Sequence, residues 1–354
     1  MKTKKFIQTI FVALALTIQA GIAQPPVSVS IDQTKDVGEI PFTSGVSPTG
    51  SMTVTVPIDI YPGIRDMQPK LALSYNHLSG NGLIGIGWNL SGLSAISRTP
   101  KNIYYDNTVQ GLKLDKTDAF VLDGMRLIQL SETSDQIKYE SEQGNIKATA
   151  FLSGDIVTHL EVYYPSGQKG VYGYPTTTAN KLQYPLTTLS DLYGNTVTYT
   201  YSEAGNLYLV TKIAYANASV EFKYITRTDV STIYNAGLKM TVNKLLQTVT
   251  CKFGTAALRA YTLTYNYAEN TAMLDQIALS ASGKTLNPLT FYYGKGSGGG
   301  SLVGLGQATL SEYCTSDELK ITTGKLEYGT TDDGVIVTDS KNPYGEYRRS
   351  SSIL

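Results

Sequence analysis

The amino-acid sequence predicts an all-β protein built from antiparallel strands and hairpins. Its 354 residues include 26 tyrosines, and aromatic and β-branched side chains suit a pleated, half-buried surface. Its 33 glycines and 13 prolines favour the turns at which strands end. Apolar and polar residues alternate with a period of two in many segments, which is typical of half-buried strands. The sequence therefore predicts hairpins that follow one another along most of the chain.

The first 23 residues have the features of a secretory signal peptide. Three lysines, at positions 2, 4 and 5, precede an apolar run over residues 6–18, and the small residues Gly21 and Ala23 follow. We expect cleavage before Gln24 and export of the mature protein. The apolar run is shorter than the ~20 residues that a membrane-spanning helix needs, so we predict no membrane span.

The charge balance of the mature chain excludes a typical nucleic-acid-binding protein. Removal of the three lysines from the 29 basic residues leaves 26, against 29 acidic residues. The chain is then slightly acidic and lacks the basic excess of such proteins. Two cysteines, Cys251 and Cys314, are too few for a disulfide scaffold, although export leaves a single bridge between them open.

The region after the signal peptide contains the most regular patterns of the sequence. Residues 24–50 are polar and contain prolines, so we expect an exposed lead-in. Alternation then predicts strands over residues 52–58 and 71–76, and it resumes after a glycine-rich turn at residues 80–92. The only tryptophan, Trp88, lies among apolar residues of this turn, which favours burial over stacking on a sugar.

The glycine-rich turn also contains a G-x-G-x-x-G pattern at residues 80–85, which in other proteins binds dinucleotides. That site requires a helix that begins at the last glycine, because the helix amides bind the pyrophosphate. Here Gly87 and Gly92 interrupt the following residues, and the asparagine and serines between them favour turns over a helix interior. We therefore predict no cofactor.

Residues 69–98 carry a family resemblance. The residues Pro-Lys-Leu-Ala-Leu-Ser-Tyr-Asn at 69–76, Gly-Asn-Gly-Leu-Ile-Gly-Ile-Gly-Trp-Asn-Leu-Ser-Gly-Leu at 80–93 and Ile-Ser-Arg at 96–98 resemble the amino-terminal region of SpvB-type proteins. These are large secreted proteins that include the B component of Tc insecticidal toxin complexes and related Rhs/YD-repeat proteins. The resemblance implies an open part of a YD/Rhs-like β shell that encloses a carboxyl-terminal effector, and no enzymatic activity in this region.

Two later segments extend the resemblance. Asp123-Gly124 between two short apolar runs is a hairpin signal, and it resembles the Leu-Asp-Gly-x-Arg-Leu pattern of the family. From Asp191 onward, turns such as the one that contains Gly194 and Asn195 alternate with aromatic strands, in a cadence that resembles degenerate YD repeats. Stacked units of this kind depend on their neighbours to bury their faces.

Two departures from a regular repeat array lie in this second half. Ser202 stands where a YD repeat has its aspartate after the tyrosine, so we expect YD-like strands and not a true repeat array. Residues 238–249 place apolar side chains at helical spacing, but residues 247–253 alternate and contain β-branched residues. We favour a strand for this segment.

The sequence offers few groups for catalysis or metal binding. His77 and His159, its two histidines, belong to no metal-binding motif, and we expect His77 to make a local hydrogen bond. Residues 140–142 match the Glu-Ser-Glu motif of the ADP-ribosyltransferase domain of some SpvB-type proteins, but the serines before it are too close for that site. We expect a solvated charge run there. Ordinary turns are expected at 283–285 and 332–334, which mimic a phosphate loop and a calcium loop.

We predict five segments along the chain. The last of them resembles the start of the propeller-like region that follows in the family, so the chain resembles the front end of a longer protein. The segments are a signal peptide (1–23), an exposed lead-in (24–50), an SpvB-like β domain (51–294), a Gly/Ser linker (295–301) and a truncated propeller-like segment (302–354).

The predicted function is that of a secreted or cell-surface, non-enzymatic structural module that helps to form a toxin-encapsulating β shell. The alternative is a surface adhesin or glycan-binding β module that uses exposed tyrosines. The predicted partner is the remainder of the protein's own full-length chain or a Tc-C/Rhs-like effector chain, with no nucleic acid. The residues predicted to be structurally important are Tyr75, Gly80, Gly82, Gly85, Gly87, Trp88, Gly92, Asp123, Gly124, Gly194 and Asn195.

Overall fold

The protein is nearly all β, which confirms the predicted fold class. The helical turns in the described part of the chain are α1 (Ile103–Asp106) and a 3-10 turn at Ile64–Asp66. No helix there has the length and apolar character that a membrane crossing requires. The computed structural model describes residues 31–268, 270–293, 319–325 and 333–339.

A small antiparallel sheet carries the glycine-rich turn, and its strand order is β1-β2-β3-β6. The strands predicted over residues 52–58 and 71–76 are confirmed as β2 and β3. Their alternation has the expected cause, since Val54, Val56 and Leu73 point into the core while their neighbours are more exposed. The strands of this sheet are β1 (Thr43–Val46), β2 (Met52–Pro57), β3 (Ala72–Asn76) and β6 (Trp88–Ser91). Within the turn, β4 (Asn81–Gly82) and β5 (Gly85–Ile86) pair as a separate two-stranded sheet.

Eight consecutive strands of the described chain then form a closed ring. Each pairs antiparallel with the next, and the last strand closes the ring. Its residues 186–190 pair with the seventh strand, and its residues 183–185 pair with the first. The ring strands are β7 (Ala95–Thr99), β8 (Ala119–Leu122), β9 (Met125–Glu132), β10 (Gln136–Ser141), β11 (Lys147–Ser153), β12 (Ile156–Tyr163), β13 (Lys169–Gly173) and β14 (Gln183–Ser190).

The interior of the closed ring is filled with side chains. Large apolar and aromatic residues from every part of the ring are almost fully removed from solvent, and each contributes about 1.5–3 kcal/mol by its burial. These residues include Ile96, Phe120, Leu127, Ile137, Leu160, Tyr172 and Tyr184.

A second region, the hairpin array, continues the same sheet outward from β14. Ring and array together form one sixteen-stranded sheet within the described residues. The strand predicted for residues 238–249 is confirmed as part of β18, and the turn expected at 283–285 lies in the β20–β21 hairpin. The array strands are β15 (Thr196–Ala204), β16 (Leu207–Tyr215), β17 (Ala218–Asn235), β18 (Leu238–Phe253), β19 (Ala256–Ala268), β20 (Thr271–Ala281), β21 (Lys284–Thr285) and β22 (Leu289–Thr290).

The lead-in before β1 is hydrogen-bonded to the far end of the array. Asp36 N–H donates to the Thr285 carbonyl at 3.1 Å, and Thr285 N–H donates to the Asp36 carboxylate at 3.0 Å. Asp32 N–H donates to the side chain of Asn287 at 3.0 Å. Side chains of residues 31–39 are largely exposed, yet the backbone here is fixed against residues that lie about 250 positions later in the sequence.

The chain divides into two compact units, Met1–Phe291 and Tyr292–Leu354. In the second, β23 (Leu319–Lys325) pairs antiparallel with β24 (Asp333–Asp339). The propeller-like nature of this segment stays a prediction, as do the segment boundaries. The predicted signal peptide and Gly/Ser linker lie outside the described residues.

Candidate functional site

The glycine-rich turn is held against the hairpin array by close backbone contact. Gly85 has φ +85°, and a side chain there would meet the Ala272 carbonyl oxygen of β20 at 2.6 Å from its Cβ. Gly92 has φ +94°, and a Cβ there would lie 1.8 Å from the Lys70 carbonyl oxygen. Only glycine combines this backbone conformation with this proximity. The Gly80 carbonyl accepts a hydrogen bond of 3.1 Å from Gly87 N–H, which closes the turn on itself.

Trp88 lies at the centre of this turn with 1% of its surface exposed. Its ring is 5.3 Å from that of Tyr75 on β3 and 4.7 Å from that of Phe291 at the end of the array. Tilted aromatic pairs at these distances add to the stabilisation that burial provides. The side chain therefore contacts both the small sheet and the last described residues of the array, and its role as an anchor stays a prediction.

A buried arginine on β17 binds the turn through polar contacts. Arg227 donates to the Gly82 carbonyl at 2.8 Å and to the Asn81 side chain at 2.6 Å. Its guanidinium also forms a salt bridge of 2.6 Å with Asp229. Asp229 in turn accepts from the Asn81 amide at 3.0 Å and from Ala272 N–H at 2.9 Å. One cluster thus joins the turn, β17 and β20.

A long bulge in β17 makes this cluster possible. Thr226 pairs with Lys244 and Ser231 pairs with Val242, so four residues of β17 face a single residue of β18. The extra residues carry Arg227 and Asp229 out of the ladder toward the turn. Sequence analysis missed this cluster. Its signal is an Arg-x-Asp pair inside an otherwise alternating strand, where two charges on one face require a buried partner.

The charge of this cluster is internally compensated. The Arg227 side chain is 0% exposed and that of Asp229 is 8% exposed. Burial raises the pKa of Asp229, but hydrogen bonds from Arg227, Ala272 N–H and Asn81 outweigh it and hold the pKa well below its usual range. The carboxylate therefore stays ionised, and removal of the arginine would leave a buried charge without its counterion.

The two residues predicted to form a hairpin turn lie at one end of the ring, between β8 and β9. Asp123 and Gly124 both have positive φ, 49° and 88°, as a tight two-residue hairpin requires. The Asp123 carboxylate also accepts from Ala95 N–H at 2.9 Å and from the Ser94 hydroxyl at 2.6 Å. The turn residue thereby fixes the start of β7, directly after the glycine-rich turn.

A second buried arginine lies inside the ring. Arg98 on β7 forms a salt bridge of 3.2 Å with Asp118 and donates to the Tyr184 hydroxyl at 3.0 Å and to Asn180 at 2.7 Å. Its guanidinium lies 5.0 Å above the centre of the Phe120 ring. The sequence pattern identified Arg98 only as part of the family resemblance, because its partners lie up to 86 residues away along the chain.

Gly194 and Asn195 lie in the turn between β14 and β15, where the array leaves the ring. The Asp191 carboxylate accepts from Tyr193 N–H at 2.8 Å, from Asn195 N–H at 2.9 Å and from the Asn195 amide at 2.7 Å. These hydrogen bonds, led by the one from the Asn195 side chain, lower the pKa of Asp191. Gly194 has φ +83°. This turn lies outside the cluster around Arg227.

The two histidines have structural partners, and Cys251 is buried. The sequence predicts a local hydrogen bond for His77; its Nδ1 accepts from Met52 N–H of β2 at 2.9 Å, 25 residues earlier in the sequence. The ring of His159 stacks on Phe151 at 4.5 Å. Burial raises the pKa of the Cys251 thiol to about 12. Within the described ranges, no group of three His, Cys, Asp or Glu side chains is arranged to hold a metal ion.

Three further expectations concern residues 140–142, Cys314 and residues 332–334. Ser141 is buried in β10 and donates to Asn145 at 2.9 Å, so only the flanking glutamates face solvent and the expected charge run is not fully solvated. Cys314 and Asp332 lie outside the described residues.

Comparison with known protein families supports the resemblance found in the sequence. Residues 46–165 match the family model SpvB, described as the Salmonella virulence plasmid 65kDa B protein. This match covers β2, β3 and β6 of the small sheet and the ring strands β7 to β12. No curated protein sequence matches the chain.

Solved structures show that the fold extends beyond the matched residues. The crystal structure of TcdB2-TccC3 is similar over 75% of this chain, with a TM-score of 0.61 and 16% identity. The Photorhabdus luminescens Tc holotoxin pore is similar over 75%, with a TM-score of 0.60 and 17% identity. The N-terminal domain of effector protein SpvB from Salmonella typhimurium strain LT2 is similar over 64%, with a TM-score of 0.53 and 16% identity.

The fraction of each solved chain that is covered by the similarity differs widely. The likeness covers 99% of the SpvB N-terminal domain, but only 17% of the TcdB2-TccC3 chain and 16% of the holotoxin chain. At these identities the likeness establishes the fold, and it confirms the predicted resemblance to SpvB-type and Tc toxin B proteins.

Proposed function

We propose that this chain is a non-enzymatic wall module of an exported toxin shell. It would work together with the remainder of its own full-length chain or with a TccC3-like effector chain. The observation that carries the proposal is the combination of the SpvB family match with a likeness to TcdB2-TccC3 that spans 75% of the chain.

The form of the molecule supports a wall role. A wall that separates an interior from solvent needs many paired strands with few open edges. The sixteen-stranded sheet of the described residues supplies these, and the closed ring removes the edge at one end. The buried arginines use their donors on carbonyls and carboxylates of this chain, so their chemistry is that of internal crosslinks.

Export is part of the proposal. The basic residues, apolar run and small residues at positions 1–23 would direct secretion, with cleavage before Gln24. Mass spectrometry of the protein recovered from the culture medium should show an amino terminus at Gln24. An intact terminus on folded, exported protein would contradict this cleavage.

The wall role is tested on the protein at its natural length, purified from the cells that produce it. Electron microscopy should show a hollow particle, and proteinase K should leave an internal segment intact until the particle is opened by denaturant. A solid particle whose segments are all digested at the same rate would overturn the proposal. Binding to a glycan array by such a particle would instead favour an adhesin.

A further inference from the structure

Adjacent hairpins of the array separate at regular places, which we call forks. The ladder between β14 and β15 ends at the pair Thr188–Thr198, and the ladder between β16 and β17 ends at Lys212–Glu221. The ladder between β18 and β19 ends at Thr248–Thr262. Beyond each pair the two strands continue, but they no longer exchange backbone hydrogen bonds in register.

Each fork coincides with a β-bulge on the earlier of its two strands. Thr187 is the extra residue of β14 opposite β13, Thr211 is the extra residue of β16 opposite β15, and Gln247 is the extra residue of β18 opposite β17. A bulge bends its strand and increases the local twist. The bulges therefore explain why neighbouring hairpins diverge here.

One tyrosine bridges each fork. The hydroxyl of Tyr201 donates to the Leu186 carbonyl at 2.9 Å, and that of Tyr224 donates to the Val210 carbonyl at 2.9 Å. The hydroxyl of Tyr265 donates to the Leu246 carbonyl. Each accepting residue directly precedes the extra residue of its bulge. The tyrosines thus satisfy carbonyl groups just past the end of a ladder, where a buried acceptor without a partner is costly.

Two of these forks admit segments of the region that resembles the SpvB family. Leu186 N–H donates to the Ser94 carbonyl at 3.0 Å, just before β7. Leu246 N–H donates to the Leu83 carbonyl of the glycine-rich turn at 2.8 Å. In both forks one residue of the sheet therefore binds an inserted segment through its N–H and a tyrosine hydroxyl through its carbonyl.

We propose that Tyr201, Tyr224 and Tyr265 are positioning residues that set the geometry of the forks. The first and third hold open the clefts in which the start of β7 and the glycine-rich turn dock. A tyrosine hydroxyl is already protonated at neutral pH, and burial raises the pKa of Tyr201 and Tyr224, so these hydroxyls also remain donors at alkaline pH. If the proposed function holds, these forks are where the wall of the shell accepts its inserted segments.

Hydrogen exchange on single hydroxyl deletions tests this proposal. In Tyr265→Phe, the amides of Leu246 and of residues 83–85 should exchange about five- to tenfold faster, as expected when one hydrogen bond is lost locally. In Tyr201→Phe, the faster amides should be Leu186 and residues 94–96. In Tyr224→Phe, the change should stay in β16 near Val210 and leave residues 83–96 as in the wild type.

The matched control is Tyr199→Phe. Tyr199 is buried on the same strand as Tyr201, but the Leu186 carbonyl takes its hydrogen bond from Tyr201. This variant should leave the exchange of Leu186 and residues 94–96 unchanged. Each variant has a separate expected pattern, so one that fails to fold leaves the proposal testable by the others.

A uniform acceleration throughout the sheet in all three variants would overturn the proposal, because it would show general destabilisation. Unchanged exchange at Leu186 and Leu246 would also overturn it. Neither result depends on encapsulation. If the particle is hollow but the tyrosine variants leave hydrogen exchange at the forks unchanged, only the proposed role of the tyrosines is rejected. If the variants change exchange at the forks but the particle is solid, only the proposed shell function is rejected.

Discussion

The closed ring and the hairpin array belong to one continuous sheet, yet they complete their backbone hydrogen bonding differently. In the ring, each strand from β7 to β14 is paired with a strand on both sides, and β14 closes the ring by pairing with both β13 and β7. In the array, the ladders between neighbouring hairpins end part of the way along the strands. Beyond that point, tyrosine hydroxyls and the glycine-rich turn form hydrogen bonds with the free backbone groups. The ring is therefore completed by its own strands, whereas the array depends on segments from elsewhere in the chain.

This difference matches the extent of the family signal. Residues 46–165 match the family model, and they include the inserted turn and most of the ring. The array lies beyond the match, although the similarity to solved structures extends over 75% of the chain. A sheet of alternating residues tolerates many side chains on its surfaces, while a docked turn requires glycine at particular positions.

The comparison is tested most strongly at the two buried arginines. Arg98→Ala in the ring and Arg227→Ala at the array should each lower the free energy of unfolding by about 3–5 kcal/mol, because each leaves a buried carboxylate without its counterion. Urea denaturation gives the magnitude. Hydrogen exchange should show that the Arg227 variant frees residues 80–87, while the Arg98 variant does not.

The control is Arg259→Ala, since Arg259 forms a more exposed salt bridge of 2.9 Å with Asp59. Such pairs contribute about 0–1 kcal/mol. If all three variants lose the same stability, the buried clusters have no special role in either region.

Trp88→Ala is expected to have an effect of similar size. Loss of a buried tryptophan costs about 3–5 kcal/mol, through lost burial and the cavity that remains. Because the ring of Trp88 contacts Tyr75 and Phe291, the small sheet and the end of the array should both loosen while the closed ring is retained. Wild-type Trp88 should show blue-shifted fluorescence. The anchor role would be contradicted if the wild-type fluorescence were that of a solvent-exposed tryptophan and the variant kept the wild-type melting temperature.

A pair of glycine substitutions should give a smaller difference in stability between the ring and the glycine-rich turn that docks on the array. Gly124→Ala in the ring hairpin places a side chain in open space at φ +88°, which costs about 1–2 kcal/mol. Gly92→Ala adds a clash with the Lys70 carbonyl to a similar conformational cost, so about 2–4 kcal/mol is expected. Thermal unfolding of the two variants measures the difference. Equal losses would show that the close approach at Gly92 relaxes freely.

The smallest effect concerns alkaline pH. Burial raises the pKa of Tyr199 to about 12, whereas an unfolded tyrosine ionises near about 10. The folded state then binds more protons between these values, so stability is complete below pH ~10 and falls as the pH rises. Tyr199→Phe should remove about 1.4 kcal/mol of this loss per pH unit. Urea unfolding at pH 10 and 11 tests this, and an identical pH slope in the variant would contradict it.

Local patterns were sufficient to predict many elements. Alternation identified β2, β3 and the strand character of residues 238–249, and Asp123-Gly124 identified a hairpin of the ring. These signals lie within a few residues of the structure that they predict. The hydrogen bond of His77 is different, because its donor Met52 lies on β2, 25 residues earlier in the sequence.

Long-range pairing could not be predicted from the sequence. Closure of the ring depends on Tyr184 meeting Ile96, and the cluster on β17 depends on Arg227 meeting Gly82. Tyr184 does not differ locally from other tyrosines in strands. The Arg-x-Asp pair at 227–229 marks a charged site within a strand, but it does not identify Gly82 as the partner. The forks could not be predicted either. A bulge is a change of register between two paired strands, and it produces no recognisable pattern in the sequence of a single strand.

The separation between the glycine-rich turn and Arg227 has a consequence for the order of folding. Their contacts join residues 145 positions apart, so the loop-closure cost must be met before the contact contributes. Hairpins of the ring close over a few residues, so they can form while the chain is still being synthesised on the ribosome. The glycine-rich turn can bind Arg227 only after β17 has been synthesised and has formed. Refolding should therefore show early protection of β8–β12 and late burial of Trp88, which its fluorescence reports with time.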